Sequence, residues 1–201
     1  LSPRKLIADS SKGCKGVLRK LQLRSSLQSA KKQYATGGPV FNPFATGVAD
    51  SALLNFNYIF TNTLSFGQMS SKWGLDLTRL INYNKSLLTY GSEATKVTTW
   101  DLKGRWQFAP SYNLAWEQQM GIHDLTTPAF ASRNFALTSM SANPTLTYTN
   151  RTKWRLMGGY EYERIKNKLI YGGETATNST IQMEGKYNAV QQTSVTARFQ
   201  Y

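Results

Sequence analysis

The stretch 99–122, TWDLKGRWQFAPSYNLAWEQQMGI, alternates large apolar residues with polar ones over two long runs. From Trp100 to Phe108 every second residue is large or apolar except Gly104, and the rhythm resumes over 112–122. Successive side chains of a strand point to opposite faces, so this period predicts strands with one aromatic face and one polar face. Both a soluble core and a lipid bilayer can cover such an aromatic face.

Period-2 alternation runs along most of the chain, and it predicts about nine strands. The predicted segments are 19–30, 54–66, 72–83, 95–108, 112–122, 133–148, 153–164, 177–188 and 193–201. Strands of soluble proteins average about 5–6 residues, whereas a tilted strand needs about 9–11 residues to cross a bilayer. The length of these segments favours a transmembrane sheet.

The predicted connections alternate between short and long. The short ones are QMSS, APS, NRT and AVQQ, and the long ones are 31–53, 84–94, 123–132 and 165–176. Outer-membrane barrels alternate short periplasmic turns with long external loops, whereas a Greek-key sandwich would scramble that order with crossovers. The predicted fold is all-β: an antiparallel up-and-down transmembrane β-barrel, or part of one.

The ends of the chain differ in character. Residues 1–35 carry nine basic residues and one acid, Asp9, and the whole chain has a net charge of +13. We expect 1–18 to be a basic N-terminal segment, either a solvated linker or a contact for an anionic partner. Bacterial barrels have an even number of strands, so nine strands ending at Tyr201 predict that 19–201 is a β-barrel region of a larger chain, or of a chain with disordered or removed ends.

The aromatic residues of the predicted outer face cluster near strand ends. Amphipathic rings at both ends of a span are typical of the two membrane–water interfaces. The alternative is that they form the core between stacked sheets. The predicted lipid-facing and girdle residues are Trp73, Tyr83, Trp100, Trp106, Tyr112, Trp116, Trp154, Tyr160, Tyr187 and Phe199.

The opposite face of the predicted strands carries charges of both signs. Interleaved opposite charges indicate cross-strand pairs that fill or line an interior, whereas a selective pore has rings of one sign. The outer face of a soluble sheet would explain the same residues. The predicted interior charge ladder consists of Asp101, Lys103, Arg105, Glu117, Arg155, Glu161, Glu184, Lys186 and Arg198.

Two residues interrupt the pattern. Arg79 stands where the apolar series predicts lipid, so we expect either a bulge there or a contact with another protein segment. Pro144 lies within a predicted strand and cannot donate a ladder hydrogen bond, so it marks a bulge, an edge or a break.

Searches for catalytic and binding motifs find none. The single histidine, His123, falls in a predicted loop with no serine–histidine–aspartate arrangement around it. The single cysteine, Cys14, excludes an internal disulfide and a thiolate metal cluster. The aromatic residues lie opposite most strand charges, which is the wrong arrangement for binding nucleic acid. We expect no enzyme activity, no cofactor, no metal and no nucleic-acid partner, and we identify no small-molecule substrate.

Several short words in residues 20–201 resemble a known group of proteins. These are FNPF (41–44), KWGLDLT (72–78), LLTYG (87–91), DLKGRW (101–106), TPAFASRNF (127–135), NPTLTYTN (143–150) and EGKYN (184–188). They resemble the C-terminal β-rich region of large, poorly characterised outer-membrane and surface proteins of the Bacteroidota. The resemblance implies a segment of a large cell-envelope protein, and it supplies no active site.

The expected function is a structural or binding role in the bacterial cell outer membrane. The chain would form a barrel wall as a subunit of a cell-envelope complex. Its expected partners are outer-membrane lipid, lipopolysaccharide and other envelope proteins. The alternative is a soluble, surface-exposed, adhesin-like β-sheet module of a larger protein.

Overall fold

The computed structural model describes residues 20–33, 53–67, 72–150, 153–190 and 193–201. They form nine strands: β1 (Leu21–Gln33), β2 (Leu53–Phe66), β3 (Trp73–Leu88), β4 (Gly91–Ala109), β5 (Tyr112–Thr126), β6 (Phe135–Asn150), β7 (Trp154–Asn167), β8 (Thr175–Val190) and β9 (Thr193–Gln200). Single 3-10 turns lie at Ala131–Arg133 and Leu169–Tyr171. In this part of the chain no helix is long and apolar enough to cross a membrane. The predicted basic segment 1–18 lies outside the described residues.

The nine strands form one sheet in chain order, each antiparallel to the next. The all-β antiparallel up-and-down fold predicted from the alternation is therefore confirmed. Within the described residues, β1 and β9 are the two edges of the sheet.

The connections differ in length between the two ends of the sheet. At one end they span 67–72, 110–111, 151–153 and 191–192, and at the other 34–52, 89–90, 127–134 and 168–174. The predicted long connection 84–94 is wrong, because Thr89 and Tyr90 alone join β3 to β4. We call the first set the short-turn end and the second the long-loop end.

The ladder register assigns every strand residue to one of two faces, because directly opposite residues in an antiparallel pair point the same way. The register is continuous through most of each ladder, with shifts near the outer ends of three pairs. We call the face that contains Trp100 the aromatic face and the face that contains Asp101 the polar face. Ala136, 3% exposed, is the one buried apolar residue among those described. The sheet therefore has no apolar core of its own.

Pro144 produces the predicted break in a ladder. It pairs with Trp116 on the β5 side, but the β6–β7 pairing passes from Ala142–Tyr162 to Thr145–Gly159 without it. The register on the two sides of this gap is the same, so the proline removes contacts without shifting the strand.

Candidate lipid-facing surface and rim cleft

All ten predicted lipid-facing residues lie on the aromatic face. The face is also where the exposed apolar side chains are. Each of the 21 exposed large hydrophobic residues within described strands belongs to it, with exposed fractions up to 60% at Phe199. Soluble monomers rarely expose a contiguous apolar patch above a few hundred Å². A face with 21 exposed large hydrophobic residues therefore requires a cover of lipid or protein.

Aromatic rings follow one another from β2 to β8 at the short-turn end of this face. We call this set the short-turn belt: Phe66, Trp73, Trp106, Phe108, Tyr112, Tyr148, Trp154 and Tyr187. Ring centroids lie 4.8 Å apart for Phe66 and Trp73, 4.9 Å for Tyr112 and Tyr148, and 4.3 Å for Trp154 and Tyr187.

The short-turn belt runs obliquely across the hydrogen-bonded rows. The register carries Phe66 of β2 across six strand spacings to Ile181 of β8, but the belt residue of β8 is Tyr187, six positions further along. Six residues rise about 20 Å and six spacings cover about 29 Å. The belt is therefore level when the strands tilt by about 35°, which lies within the range of outer-membrane barrels.

A second boundary lies ten positions from the belt in β3, β4 and β7. Tyr83 follows Trp73 by ten, Lys96 precedes Trp106 by ten, and Arg164 follows Trp154 by ten. Ten residues span about 33 Å, which becomes about 27 Å at a 35° tilt. The apolar band of outer-membrane barrels is about 25 Å tall. The residues of the aromatic face between the two boundaries are mostly apolar, and we call them the apolar band. Its height of about 27 Å is close to that of a hydrocarbon layer.

Arg79 lies inside this band, and the structure shows how it is accommodated. The register on both sides of β3 is continuous, so there is no bulge. The guanidinium carbon lies 4.9 Å from the ring centroid of Trp100, the residue directly opposite on β4. An arginine at a bilayer midplane costs about 2–4 kcal/mol, and a desolvated cation–π contact returns about 2 kcal/mol.

The charges of the polar face balance. Its strand positions hold seven acidic and seven basic residues: Asp76, Glu93, Asp101, Glu117, Glu161, Glu163 and Glu184, and Arg24, Lys32, Lys103, Arg105, Arg155, Lys186 and Arg198. All nine members of the predicted charge ladder are among them. Only the backbone is described at position 198.

Three members of the charge ladder form ion pairs with one another, centred on Lys103. The ammonium of Lys103 lies 2.6 Å from Glu117 Oε1 and 3.4 Å from Asp101 Oδ2. Lys103 and Glu117 are directly opposite in the β4–β5 register. Both side chains are about half exposed, so the pair is worth at most about 1 kcal/mol if water reaches it.

The other members are spread along the polar face. Gln182 Nε2 donates to Glu161 Oε2 at 3.5 Å. Arg155 stands directly opposite Lys186, and Glu184 stands opposite position 198. Ion pairs within the ladder lie at Lys103. That the ladder faces an interior stays a prediction.

A cleft of about 410 Å³ opens at the long-loop end of the aromatic face. We call it the rim cleft. Tyr83, Lys96 and Asp124 form one row of its floor, because they are opposite each other across β3, β4 and β5. Lys168 and Tyr171 enter from the β7–β8 loop. The Oδ1 atom of Asp124 is buried and has no hydrogen-bond partner among the described residues.

Asn167 fixes the loop that supplies Lys168 and Tyr171. Its amide nitrogen donates to the Tyr171 carbonyl at 2.9 Å and to Glu174 Oε2 at 3.0 Å, and its Oδ1 accepts from the Ala136 N–H at 3.3 Å. The Lys168 N–H donates to the Ala136 carbonyl at 3.0 Å. The loop is thereby attached to β6, beside the floor of the rim cleft.

The loop between β5 and β6 is held by a hydrogen bond between its two ends and by contacts with Tyr90. The Thr127 N–H donates to Asn134 Oδ1 at 2.7 Å, and Thr127 is fully buried. Arg133 Nη1 donates to the Tyr90 hydroxyl at 3.2 Å, and the Tyr90 ring meets Phe130 edge-on at 5.0 Å. The connections 89–90 and 127–134 are therefore in contact with each other.

Sequence reasoning did not identify the rim cleft. Asp124 falls in the predicted connection 123–132, but β5 continues to Thr126 and places Asp124 directly opposite Lys96. Lys168 and Tyr171 depend on the loop path, which turns at Gly172 and Gly173 with φ of 123° and 73°. The Gly-Gly pair was the one signal in the sequence. Among the described residues, no group of three histidine, cysteine, aspartate or glutamate side chains could hold a metal ion.

Acid is expected to loosen the loop 168–174. Hydrogen bonds from its own backbone N–H and from the Asn167 amide lower the pKa of Glu174 below the ordinary 4.5. A lowered carboxylate pKa contributes stability above pH 4.5, and that contribution is lost as pH falls through the lowered value. The protection of the Tyr171 and Gly173 amides against hydrogen exchange, taken relative to the intrinsic rate at each pH, should therefore fall in acid. An Asn167→Ala variant should show faster exchange already at neutral pH, and unchanged protection there would contradict this prediction.

Comparisons with known proteins bear on the fold. No family model and no curated protein matches the chain. Among solved structures it is similar to the FrpB iron transporter from Neisseria meningitidis (F3-3 variant), with a TM-score of 0.50 and 12% sequence identity. The likeness covers 89% of this chain and 33% of the transporter chain. The chain thus has a β-rich fold of that kind and spans about a third of the length of the structure it matches.

Proposed function

We propose that this chain is part of the wall of a bacterial outer-membrane β-barrel, with its aromatic face against lipid and its long-loop end outside the cell. Its role is structural and binding, as one part of a larger envelope assembly. Outer-membrane lipids, including lipopolysaccharide, and neighbouring envelope proteins are its partners. We assign it no enzyme activity.

The slant of the short-turn belt is the observation that carries this proposal. Packing against another protein layer places no requirement on how aromatic residues shift from strand to strand. A bilayer does, because rings at its interface must lie in one plane while the strands tilt. The belt shifts six positions from Phe66 to Tyr187. In β3, β4 and β7 the opposite boundary stays ten positions from the belt. The shift agrees with the strand tilt of outer-membrane barrels, and the ten-position separation agrees with the height of their apolar band.

Tryptophan quenching by brominated lipid tests the proposal. Two single-tryptophan variants would retain Trp106 in the short-turn belt or Trp116, four positions beyond the belt residue Tyr112. Four residues at a 35° tilt correspond to about 11 Å of depth. After reconstitution, Trp106 should be quenched best by bromines near the headgroup and Trp116 by bromines near the chain ends.

Two results of this experiment would contradict the proposal. Blue-shifted emission without quenching at both positions would mean that protein covers the aromatic face, and it would favour the soluble adhesin-like module. Equal quenching of Trp106 and Trp116 at every bromine depth would contradict the tilt.

A further inference from the structure

The charges on the aromatic face are nearly all basic, in contrast to the polar face. Its strands hold six basic residues and one acid: Lys31, Arg79, Lys85, Lys96, Arg164 and Lys166, and Asp124. Apart from Arg79, all lie at the boundary near the long loops. An apolar band edged by cations on one side fits a membrane leaflet with anionic headgroups.

The rim cleft opens on this boundary. Lys96 belongs to the row that marks the edge of the apolar band, and Lys168 lies just beyond it. Both side chains are exposed, and neither makes an ion pair with another residue in the described ranges. Two ammonium groups facing one cleft attract a phosphate group.

Other groups of the rim cleft indicate what the phosphate is attached to. Asp124 is the one acid there, and its half-buried side chain lines the cleft as a hydrogen-bond acceptor. A bare phosphate would be repelled by this carboxylate, whereas a sugar hydroxyl or amide would donate to it. Tyr171 adds an aromatic ring of the kind that packs against sugar rings, whereas the Tyr83 ring stacks on Tyr58 with the centroids 5.3 Å apart.

We propose that the rim cleft binds the phosphorylated sugar headgroup of an outer-leaflet glycolipid. Lys96 and Lys168 bind the phosphate, and Asp124 accepts a hydrogen bond from the sugar. The acyl chains then run down the aromatic face from the cleft toward the short-turn belt. This inference rests on the proposed function, because it requires the aromatic face to meet lipid.

The test is binding of lipid A, a phosphorylated glucosamine disaccharide lipid, to the chain reconstituted in phosphatidylcholine nanodiscs. The Lys96→Gln/Lys168→Gln variant should bind lipid A about tenfold more weakly, since two charge-assisted contacts are lost. The matched control is Lys186→Gln, a lysine of the polar face, which should bind as the wild type does. Dephosphorylated lipid A should bind the wild type as weakly as lipid A binds the double variant.

Three results would overturn the inference. Equal affinity of the wild type and the double variant would remove the rim cleft from the binding site. Equal binding of lipid A with and without phosphate would remove the phosphate. Complete competition by inorganic phosphate would show a site for the free anion. Brominated-lipid quenching of Trp116 in the same samples reports separately on the proposed function.

Discussion

Met183→Lys is expected to lower the free energy of unfolding in lipid vesicles by about 2–4 kcal/mol, the cost of lysine near a bilayer midplane. Met183 lies on the aromatic face of β8, four positions from the short-turn belt residue Tyr187, and its side chain is 57% exposed. A side chain with so few protein contacts should tolerate lysine in water. The size of the effect therefore reports on the surroundings of the face. Denaturant unfolding of the reconstituted protein measures it.

Gln182→Lys is the matched control for this substitution. Gln182 is the adjacent residue, it points to the polar face, and its present partner is Glu161. A lysine there lies two positions from Glu184 on a face that already carries charges of both signs. Its effect should stay within about 0.5 kcal/mol. Similar losses for the two variants would contradict the assignment of the aromatic face to lipid.

Trp100→Leu is expected to destabilise the reconstituted protein by about 2 kcal/mol or more, because it removes the ring that faces the Arg79 guanidinium. Arg79→Leu removes the charge instead and should be neutral or stabilising. In the double variant the loss caused by Trp100→Leu should largely disappear. The double-mutant cycle isolates the coupling between the two side chains, which we expect to be about 2 kcal/mol.

Trp106 supplies the control for this cycle. It lies on the same strand and face, six positions from Trp100, so about 20 Å from the Arg79 contact. Trp106→Leu and Arg79→Leu should therefore add without coupling. If Trp100→Leu and Arg79→Leu were also additive, the Trp100 ring would not compensate the charge of Arg79.

The alternation of the sequence was sufficient to predict the nine strands and to sort their residues between two faces. Trp100 and Asp101 fall on opposite faces because the period of a strand is two, whatever surrounds it. The strand ends at the short turns were predicted within one or two residues at Phe66, Trp73 and Tyr112. The aromatic belt supplies a strong signal there.

Most strands were predicted to end too early near the long loops, although β6 was predicted to begin at 133 and begins at Phe135. β3 continues through Asn84 to Leu88 and β5 through His123 to Thr126. Beyond the apolar band both faces of a strand suit polar residues, so the contrast on which the alternation depends fades. His123, predicted in a loop, lies in β5 and meets the Phe135 ring edge-on at 5.0 Å. The rim cleft was missed for the same reason, because its parts lie where the pattern has ended.

The equal numbers of acidic and basic positions on the polar face have a consequence for permeation. A water-filled space bounded by this wall would carry no net fixed charge from these nine strands, so it would concentrate neither cations nor anions. Pores that select by sign depend on rings of a single charge. These nine strands would therefore add no preference for either sign of ion to such a space.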